Sequence, residues 1–92
     1  MKIDPDDPNV RLGVFGKQVE DFLETDVGRY IVRKANDKAE KAIDALKRIS
    51  PNDNVGIQIL QNEIGLAESI VEWLADAIIT GQQAIDHLRS EE

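Results

Sequence analysis

The stretch "IQILQNEIGLAESIVEWLADAIITGQQAIDHL", residues 57–88, decides the fold of this chain of 92 residues. Apolar or small residues recur in it at alternating spacings of three and four, which places them on one face of an α-helix. The members of this first seam are Ile57, Leu60, Ile64, Ala67, Val71, Leu74, Ile78, Gly81, Ile85 and Leu88. The pattern predicts a long C-terminal helix over about residues 54–89.

A second apolar seam lies beside the first on the same predicted helix. Its members are Ile59, Leu66, Ile70, Trp73, Ala77 and Ala84. Two adjacent seams are typical of a helix that contacts two neighbours, so we expect a neighbouring helix on each. Trp73 is then expected in the core, although a tryptophan at an oligomer interface would have the same spacing.

Two shorter helices are predicted before the long one. The first covers about residues 8–24, with Asp7 as its cap and Pro8 in its first position. The second covers about residues 26–49, after a cap at Thr25. The seam of the second helix is mostly alanine, which lets a partner helix come close; it consists of Gly28, Val32, Ala35, Ala39, Ala42, Leu46 and Ile49. The turn "SPNDN", residues 50–54, ends that helix, and Asp53 or Asn54 caps the next one.

These elements predict an all-α fold with three helices in an up-down arrangement. Residues 1–7 form an extended lead, and residues 8–92 form a single helical domain. The second and third helices form an antiparallel hairpin, and the first helix lies on the second seam. A chain this short buries only about 60% of its unfolded surface, so packing must be efficient or a partner must contribute. We therefore expect oligomerisation to complete the fold.

The third predicted helix is longer than the second, about 52 Å against 36 Å, so its outer end extends beyond the second helix. Either the first helix or another copy of the chain covers residues 79–88, and the uninterrupted seam favours another copy. The predicted oligomer or partner interface consists of Val71, Leu74, Ile78, Gly81, Ile85 and Leu88. Four glycines are expected at a close backbone approach or a kink, namely Gly16, Gly28, Gly65 and Gly81.

Charge is divided unevenly along the chain, whose net charge is −7. Residues 1–26 carry three basic and seven acidic side chains, residues 27–49 carry seven and three, and residues 50–92 carry one and eight. We expect the basic second helix and the acidic third helix to attract each other when they pack side by side. The overall acidity argues against general nucleic-acid binding.

No group of residues predicts a catalytic, cofactor-binding or metal site. Glu68, Glu72 and Asp76 form a carboxylate stripe, but no Glu-x-x-His motif accompanies it, so a solvated acidic face is expected. His87 is the sole histidine and is expected to be stabilised by the helix end. The chain has no cysteine, which excludes thiolate ligands and disulfides. We expect a protein that is not an enzyme and needs no cofactor.

The basic residues of the second helix form a weak candidate for phosphate binding. They include Lys34, Lys38, Lys41 and Arg48. Asp37 and Asp44 lie four residues before Lys41 and Arg48, so we expect two ion pairs that partly neutralise the patch. No aromatic residue is interleaved for base stacking, so this pattern argues against nucleic-acid binding.

Two stretches resemble small helical proteins encoded by tailed bacteriophages, often among the head and packaging genes. They are "FGKQVEDFLETDVGRYIV", residues 15–32, and "LQNEIGLAESIVEWLADAI", residues 60–78. The resemblance implies a role in virion assembly or an accessory role in infection, with other phage structural proteins as possible partners. It carries no catalytic motif.

The sequence thus favours a non-enzymatic phage structural or assembly-accessory protein that self-associates. The alternative is an acidic inhibitor of a host nucleic-acid-binding protein, because residues 50–88 contain no lysine or arginine and could imitate phosphate charge. Neither an apolar leader nor a membrane span is recognisable, so we expect the protein in the host bacterial cytoplasm or the virion, not secreted and without membrane contact.

Overall fold

A computed structural model of the chain describes residues 4–91, which form three helices. They are α1 (Pro8–Leu23), α2 (Asp26–Arg48) and α3 (Asn54–Ser90), and residues 4–91 contain no strand. The all-α class and the long C-terminal helix are therefore confirmed, and every helix bound agrees with its prediction to within one residue. None of the helices in this range is both long and apolar enough to cross a membrane.

Each helix begins at the cap that the sequence predicts. Asp7, Thr25 and Asp53 each accept a hydrogen bond from a backbone N–H of the following turn, at 2.8, 3.0 and 2.9 Å. These bonds satisfy N–H groups that have no partner within the helix. Of the two candidate caps for α3, Asp53 is therefore the one used.

The start of the chain differs from the predicted extended lead. Residues 4–7 form a turn, because the Asp7 N–H donates to the Asp4 carbonyl oxygen at 3.0 Å and the Asp6 N–H donates to the Asp4 side chain at 2.9 Å. Aspartate favours this local bonding over an extended backbone. Residues 1–3 of the predicted lead lie outside the described residues.

The three helices form one long hairpin. Ile31 and Ile70 line the same groove, and Ile49 lies against Gly56, so α2 and α3 form the predicted antiparallel pair. Contacts between α1 and α3 continue this order, since Gly16 faces Gly81 while Gly13 faces Ile85. Consequently α1 and α2 run in one direction along α3, which returns in the other. We call α1 and α2 together the α1–α2 arm.

The α1–α2 arm has a bend between its two helices, at residues 24–25. The Thr25 hydroxyl donates to the Phe22 carbonyl oxygen at 2.6 Å and accepts from the Gly28 N–H at 3.0 Å. Gly28 is buried in this bend, where an added Cβ would contact the Phe22 carbonyl oxygen and lie 2.9 Å from the Leu23 Cα. Glycine is thus required sterically at residue 28, as predicted for a kink.

The packing core consists of small residues. The buried apolar side chains are Val19, Ala35, Ala42, Ala67 and Ala84, and among residues 4–91 no large side chain is fully enclosed. The radius of gyration is 18.6 Å, against about 12 Å for a compact chain of this length. The accessible surface is 6966 Å², roughly 1,600 Å² more than a compact monomer of this mass exposes. A single copy therefore leaves much of its surface uncovered.

Candidate interaction surface

The outer half of α3, which is the C-terminal part beyond the reach of α2, is covered by α1 of the same chain. A Cβ added at Gly16 would lie 2.8 Å from the Ala77 carbonyl oxygen and 3.0 Å from the Gly81 Cα. A Cβ added at Gly81 would lie 2.8 Å from the Leu12 carbonyl oxygen and 3.0 Å from the Gly16 Cα. The two backbones are in direct contact at this crossing, which only glycine allows on both sides. Close approach at Gly16 and Gly81 is therefore confirmed.

This crossing answers the question of what covers residues 79–88. Of the two alternatives, the structure has the first helix there, and the expectation of another copy at this place was wrong. The reason is that α2 ends at the bend and α1 continues along the same side of α3, with Gly13 and Gly16 bringing it onto the first seam. The prediction that the first helix lies on the second seam was also wrong, because α1 contacts residues of the first seam.

The six predicted interface residues lie between helices of one chain. Gly81 is buried and the others are half-buried; these are Val71, Leu74, Ile78, Ile85 and Leu88. Ile85 contacts the α1 backbone, since its Cγ1 lies 2.8 Å from a Cβ built at Gly13. The six residues therefore lie along one interface, but this interface is formed by helices of the same chain. Contact of these residues with another copy stays a prediction.

The second seam is uncovered over the inner half of α3. Ile59 is 53% exposed, Leu66 62% and Trp73 65%. The three are seven residues apart, so they follow one line along the helix, which we call the exposed stripe. The expectation that Trp73 lies in the core was wrong for a single chain, because the bend places α1 and α2 over the first seam and leaves this line open.

A groove between α2 and α3 runs beside the exposed stripe. It has a volume of about 280 Å³. Its apolar lining comprises Tyr30, Ile31, Ala35, Leu66, Ala67 and Ile70. Charged side chains from both helices join this lining, with Lys34 and Lys38 on α2 and Glu63 on α3. The groove is therefore apolar along its floor and carries both signs of charge at its edges.

Two aromatic residues of α1 extend this surface towards the outer end. Phe15 and Phe22 are exposed and lie on the side of α1 opposite a second groove, whose lining includes Val10, Lys17 and Arg89. That places them on the same side of the hairpin as the exposed stripe. We call the combined surface the apolar face; it consists of Phe15, Phe22, Tyr30, Ile59, Leu66 and Trp73. Its exposed area is on the order of 600 Å², at the upper end of what monomers leave uncovered.

Ion pairs stay within single helices or their caps. Between residues 4 and 91 there are six contacts within 4.0 Å, and each joins residues at most five apart in sequence. Consequently no such pair connects α2 with α3 in this range, and the expected attraction is not realised as direct contacts. The cause is the alanine seam, which brings the backbones together and directs the charged side chains away from the interface.

The two ion pairs predicted on α2 had different outcomes. Lys41 pairs with Asp37 at 2.9 Å, as expected. Asp44 lies 4.0 Å from Lys47, not near Arg48, so that prediction was wrong. Both spacings are available on a helix, because residues three and four apart share one side. The patch therefore keeps Lys34, Lys38 and Arg48 without a carboxylate within 4.0 Å in the described part of the chain.

The ammonium group of Lys17 is affected by a neighbouring carboxylate. The hydrogen bond from the Lys17 ammonium to Asp21, at 3.1 Å, and the charge of Asp21 raise the pKa of Lys17 above its usual value. The pair contributes to the stability of the helix at neutral pH, and this contribution is lost as pH rises through the raised pKa of Lys17. Both side chains are exposed, so the contribution is small.

The candidate chemical groups form no cluster. His87 contacts Glu91, with Nε2 3.0 Å from Oε1, and both side chains are exposed. Glu68, Glu72 and Asp76 are exposed along α3 as predicted. Among residues 4–91 no group of three or more potential metal ligands comes together. The most prominent surface feature of the described residues is therefore the apolar face.

Sequence reasoning missed the aromatic part of this surface. No place on an exposed surface was predicted for Phe15, Phe22 or Tyr30. The available signal was the position of Gly13 and Gly16 beside Phe15, since two glycines three apart indicate the face that a neighbouring backbone approaches. Gly65 was wrongly grouped with the close-approach glycines, because nothing outside its own helix lies within 4 Å of a Cβ built there.

Comparison with known proteins finds no matching family model, no similar curated protein and no similar solved structure.

Proposed function

We propose that this chain is a non-enzymatic assembly protein that acts through protein–protein contacts and self-association. The observation that carries the proposal is the apolar face, where Leu66 and Trp73 stand almost two-thirds exposed. Apolar patches of this size are typical of interaction sites on otherwise polar proteins. The excess of accessible surface supports the same conclusion, because a partner would bury what the thin core cannot.

The resemblance to tailed-phage proteins favours virion assembly, or an accessory role in infection, as the setting. The protein then works in the host bacterial cytoplasm or in the virion, with copies of itself and other phage structural proteins as partners. Contact with protein is the common element of these roles, so the proposal rests on the surface and not on the particular assembly step.

The test is the mass in solution of the full chain and of Leu66→Asp, measured by light scattering over a range of concentrations. Wild type is expected to be oligomeric, and Leu66→Asp monomeric, because the substitution places a carboxylate in the middle of the apolar face. Ile79→Asp is the matched control: Ile79 is 51% exposed on the same helix but points away from the α1–α2 arm and from the exposed stripe. A monomeric wild type at the highest concentration contradicts the proposal, as does equal dissociation of both variants.

A second candidate function rests on the free carboxylates of α3. Glu68, Glu72 and Asp76 are exposed, and none has a basic group within 4.0 Å among the described residues. Such a row of negative charge suits an inhibitor that imitates the phosphates of a nucleic acid and binds a basic host protein.

Competition with duplex DNA for a purified bacterial nucleoid protein tests this alternative. The mimic is expected to displace DNA at low salt and to lose this ability at high salt. The charge-neutral variant Glu68→Gln, Glu72→Gln and Asp76→Asn should then displace none. Absence of displacement by wild type at low salt excludes the alternative for that class of target.

A further inference from the structure

We infer that the occupant of the apolar face is a second copy of this chain, related by a two-fold axis parallel to the helices. In this dimer α3 of each copy lies against the α1–α2 arm of the other. The two α3 helices and the two α1–α2 arms together form an antiparallel bundle. The inference rests on the proposed self-association and specifies its partner and orientation.

Self-complementarity identifies the occupant. The apolar face offers an apolar floor with basic groups on the α2 side, Lys34 and Lys38, and an acidic group, Glu63, on the α3 side. A partner that fits must present an apolar surface with the opposite order of charges. The same face rotated by half a turn about the helix direction presents this order, as a two-fold interface requires.

The charges also decide the orientation. A two-fold axis perpendicular to the helices would set α3 against α3 and α2 against α2, which brings acidic residues together and basic residues together. An axis parallel to the helices sets acidic α3 against basic α2 of the other copy. Lys34, Lys38 and Glu63 have no oppositely charged group within 4.0 Å inside residues 4–91, so they remain available for a partner. Like charges across an interface disfavour the first arrangement.

The position of each residue along the helix axis, which we call its height, determines which residues of the two copies meet. Rotation about an axis parallel to the helices leaves the height of each residue unchanged, and Lys38 and Glu63 line one groove. Each Lys38 therefore faces the partner's Glu63. Trp73 lies about one turn beyond Ile70, level with the beginning of α2, and so packs near the partner's Tyr30. All neighbouring helices are antiparallel in this bundle, which is the usual arrangement of a four-helix bundle with short connections.

The area is sufficient for a stable dimer. The apolar face contributes on the order of 600 Å² per copy, and its charged rim brings this close to the roughly 800 Å² that each partner buries in a standard interface. Burial of Trp73 and Tyr30 at the centre supplies the aromatic residues that dominate binding energy in such contacts.

Cysteine cross-linking tests the orientation, and the chain has no cysteine of its own. Lys34→Cys and Leu66→Cys are made as separate variants of the full chain, unfolded together, refolded together and oxidised. Leu66 lies on the exposed stripe, lines the groove together with Lys34 and is 62% exposed, so cysteine at this place keeps an apolar side chain in an accessible position. The mixture is expected to form a disulfide-linked dimer that neither variant forms alone. Ile79→Cys, on the far side of α3, gives the background from random collision.

The outcomes separate this inference from the proposed function. Cross-linking of Leu66→Cys alone would place α3 against α3 and overturn the orientation while leaving self-association intact. An oligomeric mass with no cross-link above the Ile79→Cys background, in the mixture or in either variant, also overturns it. A monomeric mass overturns both the inference and the self-association on which it rests.

Charge exchange at the groove gives an independent test. Lys38→Glu alone and Glu63→Lys alone are each expected to weaken the dimer about tenfold, because each leaves like charges facing across the interface. An equimolar mixture of the two variants should regain wild-type affinity by forming the mixed dimer. Unchanged affinity in both single variants, or failure of the mixture to recover, contradicts the facing of Lys38 and the partner's Glu63.

Discussion

The two halves of α3 carry the same apolar pattern but differ in how far neighbouring helices cover them. The outer half lies under α1, with backbone against backbone at Gly16 and Gly81. The inner half lies beside α2 along an alanine seam, and its second seam stays open at Leu66 and Trp73. Small residues draw helices together in both halves. In the inner half they also leave the larger side chains without cover, so the pattern that completes packing at one end leaves an exposed apolar surface at the other.

The largest expected effect concerns the open half. Trp73→Ala should weaken self-association by at least about 2 kcal/mol, some thirtyfold in dissociation constant, because a central aromatic residue loses its contact. Stability of the isolated chain should hardly change, since Trp73 is mostly exposed there. Sedimentation equilibrium of Trp73→Ala beside Ile79→Ala measures this. Equal weakening by the two substitutions would remove the distinction between the open face and the rest of the surface.

The closed half is tested by Gly16→Ala. The added methyl group would meet the Ala77 carbonyl oxygen at 2.8 Å, and a backbone atom cannot rotate away. We expect the free energy of unfolding to fall by about 2 kcal/mol, and the amide protons of α1 to lose protection against exchange before those of α2. Urea unfolding with hydrogen exchange provides both readouts. Stability equal to or above wild type would mean that α1 does not pack on α3 as described.

The junction between the halves depends on Thr25. Thr25→Ala removes the hydrogen bonds to Phe22 and Gly28 that fix the bend, and should cost about 1 kcal/mol. Ser90→Ala is the matched control, because it removes a hydroxyl bond to His87 at the free end of α3. Thermal unfolding of both compares them, and an equal small effect would show that the bend is held by other contacts.

The smallest effect is a gain. Gly65 faces open space on the side of α3 away from the other helices. Gly65→Ala should therefore stabilise the chain by up to about 1 kcal/mol through helix propensity alone, without changing its oligomeric state. Gly65→Ala and Gly16→Ala are the same chemical change but should alter the free energy of unfolding in opposite directions, which sharpens the comparison of the two halves. Destabilisation by Gly65→Ala in urea unfolding would indicate that another copy approaches this face instead.

Local signals in the sequence were sufficient for the helices and their caps. The seam of α3, the caps at Asp7, Thr25 and Asp53, and the alanine seam of α2 each specify their own segment. The path of α1 was not predictable in the same way. It depends on the bend at Thr25 and Gly28 and on the pairing of two glycines more than sixty residues apart, as Gly16 and Gly81 are in the sequence.

An uncovered apolar surface on α3 was predicted, but at residues 79–88, which α1 covers. The excess of apolar residues on α3 correctly indicated more surface than two helices cover. The seams alone did not decide which part stays open, because that depends on where α1 lies. Once α1 occupies the outer end, the members of the second seam that stay exposed on the inner half of α3 are Ile59, Leu66 and Trp73.

Trp73 allows the central claim to be measured directly, since it is the single tryptophan of the chain. Its fluorescence emission and its quenching by acrylamide are recorded over the concentration range in which light scattering follows the mass. We predict that emission shifts to shorter wavelength and quenching falls as the mass rises from one chain to two, because the partner covers the indole ring. Association that leaves Trp73 as accessible as in the monomer would contradict the account.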